Sequence, residues 1–384
     1  MSGPRIPTRG DGTLRVGRDM PLVPPIGPTR VDAAVYVSEE QWERERTTLF
    51  RETWYVVDRS SVIAEPGDFL VWEEFGETVV VRRADDGSLS AFHNVCQHRG
   101  ARIVDPESQC EGRVGHCKNG RFACPWHGFV YDESGMVVHV PDRADFDDAE
   151  LTGLRAPTVA VEDWGGWIWI NLAGDRAEPL VDYLGPEVVE ELGHYRMEHM
   201  VLHAKREWVI PTNWKAVVDG FIEVYHVSET HQETIPGTLA LRDTYQHLLG
   251  RHSMYVIPFA DSLDQLLDSQ DHVAQALSHY LVFPNSIFNC LPTHIQAFQP
   301  VPIDARTAKY TAWNLIQPGG DDAFVKEMDA RWEHFTRVAA EDLHAATQVG
   351  ATMRSAGYAR NLMNAREIRI PHFLDNVRTY SDKI

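Results

Sequence analysis

The sequence predicts an α+β protein in which a small all-β module is attached to, or inserted in, a larger domain of mixed helices and strands. Three observations predict it. Short β-rich segments punctuated by Gly turns run from about Phe69 to Ala173, and after Asp175 helices alternate with β-branched and aromatic stretches. The composition, 43% hydrophobic and 24% charged, is that of a folded globular chain rather than a disordered one. No apolar run approaches the roughly 18 residues of a membrane span; GGWIWINLAG at Gly165–Gly174 is the nearest.

The elements follow in order. Met1–Arg30, with its MPLVPPIGP, reads as an extended or disordered arm that lacks the apolar core of a signal peptide. Ser38 stands three residues before Gln41, a capping-box spacing that opens a helix over Glu40–Trp54. Strands are expected at Phe69–Trp72, Thr78–Arg83 and Ser88–Phe92, with Asp86-Gly87 as the hairpin turn between the last two. Gly128–Tyr131 and Met136–Val140 flank Ser134-Gly135, and Val159–Val161 and Trp167–Leu172 flank Gly165-Gly166. Further on, helices are expected over Asn213–Val227 and Val273–Leu281, and strands within Tyr280–Phe288 and His294–Trp313. Asp321–Ser355 reads as a long helical stretch broken once. No internal repeat of 20 to 50 residues is visible in the 384-residue chain.

Charge and cysteine usage exclude several classes. Thirty-six Lys and Arg against 56 Asp and Glu leave a net charge of −20, which argues against nucleic acid or an anionic membrane as partner. Five cysteines are few and odd for a secreted disulfide scaffold, so a reducing cytoplasm is expected.

Two constellations carry chemistry. The first is Cys96-Gln97-His98 at the end of one hairpin and Cys124-Pro125-Trp126-His127 at the start of another. Two thiolates and two imidazoles on tight loops make a four-ligand set for either tetrahedral zinc or a [2Fe–2S] cluster with Cys on one iron and His on the other. The alternating Cys/His order favours the cluster, because each loop then gives one ligand to each iron. Neutral imidazole in place of thiolate raises the reduction potential, which suits a relay. AFHNVCQHRGARI and FACPWHGFVYDESG resemble the two cluster loops of Rieske oxygenases. The 25 residues between His98 and Cys124 exceed the gap common in that family, and the excess carries Cys110, His116 and Cys117. A surface insertion is the expectation there, with an extra metal or a disulfide as the alternatives.

The second constellation lies in NWKAVVDGFIEVYHVSETH. Asp219, Glu223 and His226, spaced i, i+4 and i+7, would share one helical face, and two carboxylates beside an imidazole are costly to bury without a metal or proton partner. His231 can converge with His226 only if the helix ends or widens near Val227. The spacing is not HExxH, which excludes a zinc protease, and no second ExxH supports a di-iron site. Two His and one carboxylate with open positions is the arrangement of oxygen-activating Fe(II). The segment resembles the mononuclear iron motif of Rieske oxygenase α subunits, with Asp219-Gly220 where many relatives have Glu-Asn and Glu223 where many have Asp.

The resemblance covers about residues 40–384 and implies an all-β Rieske domain over 48–173. It also implies a catalytic domain over 31–47 and 174–384, with an antiparallel sheet flanked by helices. Carried over residue by residue, Cys96, His98, Cys124 and His127 would hold the cluster and His226 and His231 the iron. Glu223 would be the carboxylate bridging to a Rieske cluster histidine of the neighbouring subunit in a trimer. AAEDLHAAT resembles the segment with the last carboxylate, pointing to Asp342 with Glu341 as its rival, and REIRIPHFLDNV resembles the family's last helix. Asp219 is the accompanying acid.

The implied activity is that of a terminal oxygenase component. It combines a small-molecule substrate with O2 and two electrons, relayed from NAD(P)H by a ferredoxin or flavin reductase, since no GxGxxG follows a strand here. An apolar aromatic or alicyclic substrate is the leading expectation, as in aromatic compound catabolism. Demethylation of a quaternary ammonium, methoxy or N-methyl compound is the alternative. An electron-transfer Rieske protein without oxygenase activity and a zinc-binding structural protein are the rivals from other classes. The pocket is expected within Glu229–Trp313, drawing on Phe259, Leu263, Leu266, Leu267, Leu277, Tyr280, Leu281, Phe283 and Phe288, most of them ordinary core, with Cys290 a buried small hydrophobe.

Overall fold

The computed structural model describes residues 29–269, 271–364 and 366–382, so the expected arm lies outside them up to residue 28. Thr29–Asp32 is a strand paired antiparallel with Arg360–Met363. The chain divides into two compact units: Phe50–Leu180 forms one, and the chain up to Leu49 together with that from Val181 onward forms the other. Among the described residues no helix is long and apolar enough to cross a membrane.

The unit Phe50–Leu180 is built from hairpins. Its four-stranded sheet runs Leu89–His93, Glu77–Arg83, Asp68–Glu74, Val114–His116. Three-stranded sheets combine Ala160–Trp164, Trp167–Asn171 and Tyr55–Arg59, and Phe122–Ala123, Val130–Tyr131 and Val137–His139. Gly87, Gly135, Gly165 and Gly166 all take positive φ at the expected turns. The insertion between the two ligand loops is not a plain surface excursion. Its Val114–His116 pairs with Asp68–Leu70 and lengthens the sheet. Gly115 is required there, because a Cβ would meet the Phe69 ring at 2.3 Å. His116 Nδ1 pairs with Asp68 Oδ1 at 2.9 Å, and Cys110 and Cys117 are free thiols.

The other unit centres on a seven-stranded antiparallel sheet. Its order is Val201–Ile210, Ala308–Ile316, His294–Pro302, Ser286–Cys290, Ala276–Val282, His252–Pro258, Tyr245–Leu249. All nine residues of His294–Pro302 are buried, so both faces of that strand are covered and the sequence shows no alternation. The expected helix Val273–Leu281 is instead a single turn, His272–Gln275, followed by the strand Ala276–Val282. A continuous apolar run does not separate buried strand from buried helix by periodicity, and here the cross-strand partners decide.

Three helices flank the sheet: Trp214–Phe221, Asp322–Thr352 and Arg369–Ser381. Asp322–Thr352 runs 31 residues without a break, contrary to the expected interruption, since no Pro or interior cap stops it. Near its end Gly350 lies against the backbone of Pro211 and Thr212, and a Cβ there would fall 2.1 Å from Pro211 O. At the start of this unit, Ser38 caps Glu39–Arg44 by accepting from Gln41 N at 3.1 Å, and the turn widens to a π-helix over Glu45–Leu49. There the buried Glu45 takes hydrogen bonds from Lys215 Nζ and Trp214 Nε1.

Candidate metal centres

The two hairpin tips of the β unit follow one construction. Cys96 N donates to Ala101 O and Gly100 N to Cys96 O, while Cys124 N donates to Phe129 O and Gly128 N to Cys124 O. Each tip is thus a tight loop closed four and five residues beyond its cysteine, with Gly100 and Gly128 at positive φ. The construction points both thiols inward, where Cys96 and Cys124 are buried, and leaves His98 half-buried and His127 exposed. The imidazoles meet edge to face at 4.5 Å, and His98 stacks on Phe129. Tyr131 donates its hydroxyl to Cys96 Sγ at 3.2 Å. Burial pushes the Cys124 thiol up and its neighbour Cys96 adds to the rise, against the backbone N–H groups of Trp126 and His127.

This donor set fits a binuclear cluster better than a single ion. Tetrahedral zinc holds S and N ligands only about 3.3–3.8 Å from each other. Among the described residues, the one group of three or more His, Cys, Asp or Glu whose ligand atoms all lie within 4.8 Å of one another is elsewhere in the chain, so the tips are set wider than one ion demands. His98 Nδ1 is also buried without a hydrogen-bond partner, an orphan that ligation would satisfy. Cys110, His116 and Cys117 form no such group either.

That compact group is His226, His231 and Asp342. The expected common face of Asp219, Glu223 and His226 does not exist, because the helix capped by Asn213 ends at Phe221, well short of Val227. Glu223 restarts the chain. Its carboxylate accepts from the backbone N–H groups of Tyr225 and His226 and so sets up the short helix Val227–Thr230. This break lets the two histidines converge, with ring centroids 5.3 Å apart. Asp342, from the middle of Asp322–Thr352, places Oδ1 2.9 Å from His231 Nε2 and 3.4 Å from His226 Nε2.

The opposite ring nitrogens are held by two other acids. His226 Nδ1 bonds Glu223 Oε1, and His231 Nδ1 bonds Glu341 Oε2 at 2.6 Å, an oxygen that also accepts from Thr234 Oγ1. Burial opposes charge on His226, yet the hydrogen bonds to Asp342 and Glu223 outweigh it and push its pKa up to about 10. Burial likewise opposes ionisation of Asp342, and the two histidines overcome it and lower its pKa. Two imidazoles among three carboxylates form a pocket that demands positive charge, and the residues present fit a divalent cation.

Asp219 stands beside this group rather than in it. Its Oδ2 accepts from Tyr36 at 2.5 Å, and burial pushes its pKa up to about 8 despite Tyr36 and Lys215. It faces a second cavity with Glu367 and Tyr358, and Glu223 lines both that cavity and the one over the metal group.

The cavity over the metal group measures about 430 Å³. Of the apolar residues expected to line it, Phe259 and Leu277 do; Leu266, Tyr280, Leu281, Phe283 and Phe288 are core. Cys290 is fully buried. Ile235, Tyr255 and Ile257, from within the expected span, line it too, and Val224 together with Phe335 and Val338 on the long helix join it from outside that span. Helical period alone would have placed those last two on the side of Asp342.

Comparison with known proteins supplies the context. The model of the Ring hydroxylating alpha subunit (catalytic domain) matches residues 195–383, and that of the Rieske [2Fe-2S] domain matches residues 53–156. The carnitine monooxygenase oxygenase subunit of Escherichia coli (strain K12) is 25% identical over 338 residues, 85% of each chain. The benzene 1,2-dioxygenase alpha subunit of Pseudomonas putida is 31% identical over 215 residues, 52% of this chain and 44% of that one. Among solved structures, a quaternary ammonium Rieske monooxygenase in complex with L-carnitine superposes with a TM-score of 0.76 at 22% identity, covering 94% of this chain and 97% of that one. Naphthalene 1,2-dioxygenase from Rhodococcus sp. does so with a TM-score of 0.70 at 20% identity, covering 92% and 94%.

Proposed function

The chain belongs to the Rieske non-heme iron oxygenases, and we propose that Cys96, His98, Cys124 and His127 hold its [2Fe–2S] cluster while His226, His231 and Asp342 hold its mononuclear iron. It is an oxygenase α subunit, an oxidoreductase that acts on a small molecule with electrons from a partner. Bound in these sites, the cluster supplies single electrons and the iron supplies dioxygen activation for insertion of oxygen into a C–H or C=C bond. The observation that carries the assignment is the pair of rings gripped from behind. Glu223 and Glu341 accept from the Nδ1–H groups, which turns both Nε2 atoms toward Asp342 Oδ1.

The residues divide the remaining work. Val224, Ile235, Ile257 and Phe259 give the cavity its apolar lining and exclude water from the reacting carbon. Glu223 holds a proton with His226 at the boundary of the two cavities, where it receives the cluster histidine of a neighbouring copy in a homotrimer. A related structure is described as revealing inter-subunit electron transfer in a quaternary ammonium Rieske monooxygenase, which supports this arrangement. The electron donor is a ferredoxin or flavin reductase drawing on NAD(P)H. Cys110, Cys117 and Cys290, free thiols in addition to the two proposed cluster ligands, suit a cytoplasmic setting.

The substrate is a compound with a largely apolar aromatic or alicyclic body, because the cavity is walled mainly by aliphatic and aromatic side chains. A quaternary ammonium compound is the second reading, favoured by the likeness to carnitine monooxygenase along most of both chains. Against it, Tyr255 already carries the Arg369 guanidinium over its ring at 4.7 Å. A screen that follows O2 uptake and product mass, with a surrogate ferredoxin and reductase, tests both. Coupled product from ring compounds alone supports the first reading, and coupled product from trimethylammonium compounds alone replaces it with the second.

A further inference from the structure

The helix Trp214–Phe221 ends where the apolar pattern of the sequence would let it run on. In a continuing helix Tyr225 N would bond Phe221 O, and His226 N would bond Ile222 O. Both amides instead donate to the Glu223 carboxylate. The two carbonyls they give up are met by side chains from elsewhere in the chain. Tyr255 donates its hydroxyl to Phe221 O at 3.4 Å, and Arg369 Nη1 donates to Ile222 O at 3.3 Å. Side chains thus replace the next turn of backbone bonds on both the donor and the acceptor side.

Arg369 is fully buried, and among the described residues every acceptor it reaches is neutral. Besides Ile222 O these are Ser253 Oγ at 2.9 Å, Ser253 O at 3.1 Å and His279 Nδ1 at 3.2 Å. A buried charge held by neutral groups alone is costly, and burial lowers its pKa to about 9. Arg369 also opens its own helix, Arg369–Ser381, at the end where a cation is unfavourable. Its guanidinium faces the carbonyl end of the other helix, where a cation is favourable. There the planar fork ties the strands His252–Pro258 and Ala276–Val282 to the helix end at once.

We propose that Arg369 is a positioning residue for the mononuclear metal group, acting through Ile222 and Glu223. By fixing Ile222 O it holds the backbone of Glu223 in the turn from which that carboxylate reaches His226 Nδ1, and His226 Nε2 then faces Asp342. The proposal rests on the reading of His226, His231 and Asp342 as metal ligands and extends it outward. Position and charge act in opposite directions here. The guanidinium lies over the Tyr255 ring, and its charge acts on that phenol together with the carboxylates of Glu223 and Asp342. A positive charge so placed repels a metal cation. Removing it would tighten metal binding if charge alone mattered, whereas losing the fork should weaken it.

Co2+ titration of the full-length protein, with its cluster in place and oxidised and the mononuclear site emptied, tests this. Calorimetry gives the affinity and electron paramagnetic resonance the Co2+ signature, both well below the unfolding midpoint. Arg369→Met removes charge and fork, and should weaken Co2+ binding by roughly 10–100-fold with a changed signature. Arg369→Lys keeps the charge without the fork, and should weaken it by about tenfold or more. A purely structural brace would lower the unfolding midpoint of both variants and leave Co2+ affinity and signature alone. Unchanged or tighter binding in Arg369→Met, or wild-type affinity in Arg369→Lys, overturns the proposal. Ser253→Ala, which removes one anchor of the fork and no charge, decides if either variant loses its cluster colour: weaker binding supports the proposal, and unchanged affinity overturns it. The reading of the metal ligands fails separately, if the wild type binds no Co2+ or His231→Ala binds it as tightly.

Discussion

The His231 ring is held at both nitrogens by adjacent residues of one helix: Nδ1 bonds Glu341 Oε2 at 2.6 Å, and Nε2 faces Asp342 Oδ1 at 2.9 Å. Sequence alone leaves Glu341 and Asp342 as rivals for a third ligand, whereas the geometry gives each a different task. Asp342 faces the nitrogens of both histidines, and Glu341 fixes the ring from behind. Asp342→Asn should therefore lose the mononuclear iron while keeping the cluster. Glu341→Gln should keep that iron with affinity weakened by roughly 10–100-fold. Iron titration followed by metal analysis distinguishes them, and equal losses in the two variants would remove the difference in role.

Glu223 separates metal retention from coupling. Its carboxylate caps Tyr225 and His226 and bonds His226 Nδ1, so Glu223→Gln keeps a hydrogen-bonding shape but not the charge. The variant should retain visible absorption and most of its iron, while product formed per O2 consumed falls by at least tenfold. Unchanged coupling would take Glu223 out of the electron path.

His252 should contribute less to stability in mild acid. Its Nε2–H donates to Tyr183 O at 2.8 Å and its Nδ1 accepts from Phe283 N at 3.0 Å, so the folded chain holds the ring neutral. Burial, assisted by Arg251 and His372, lowers its pKa from 6.5 to about 3. The unfolded chain then binds a proton below 6.5 that the folded chain refuses, and the stabilisation present above 6.5 is lost as pH falls. Between pH 7.5 and pH 5 the loss from this group is about 2 kcal/mol. Urea unfolding of the wild type and of His252→Gln at the two pH values isolates this contribution: on going to pH 5 the wild type should lose about 2 kcal/mol relative to the variant, and an equal change in both would remove His252 from the balance.

Gly350→Ala places a methyl 2.1 Å from the Pro211 carbonyl oxygen, which is backbone and cannot swing aside. Overpacking of this kind costs about 1–3 kcal/mol. Because the helix also carries Asp342, thermal unfolding should drop and iron affinity should weaken together. An unchanged unfolding midpoint would mean the helix end can shift freely.

What the sequence disclosed tracks how local each feature is. Cys96/His98 and Cys124/His127 are legible because each pair closes within one turn whose Gly and Pro are part of the motif. The helix break after Phe221 is not, since the apolar pattern of VVDGFIEVYH continues and only the Glu223 side chain, turning back on Tyr225 N, shows where the backbone stops. Most of the strand Ala276–Val282 falls within the expected helix Val273–Leu281, because all the strand's residues but Leu277 are buried and no alternation survives. The hold of Arg369 on Ile222 O joins residues far apart in the chain and is invisible without the fold.

We propose that this polypeptide holds iron in two chemically distinct sites, one at Cys96, His98, Cys124 and His127 and the other at His226, His231 and Asp342. Iron and acid-labile sulfide per chain, measured on wild type and on His231→Ala, test it most directly. About three irons and two sulfides are expected in the wild type, and about two of each in the variant with its visible spectrum intact. A wild type without sulfide, or a variant that still binds three irons, would contradict it.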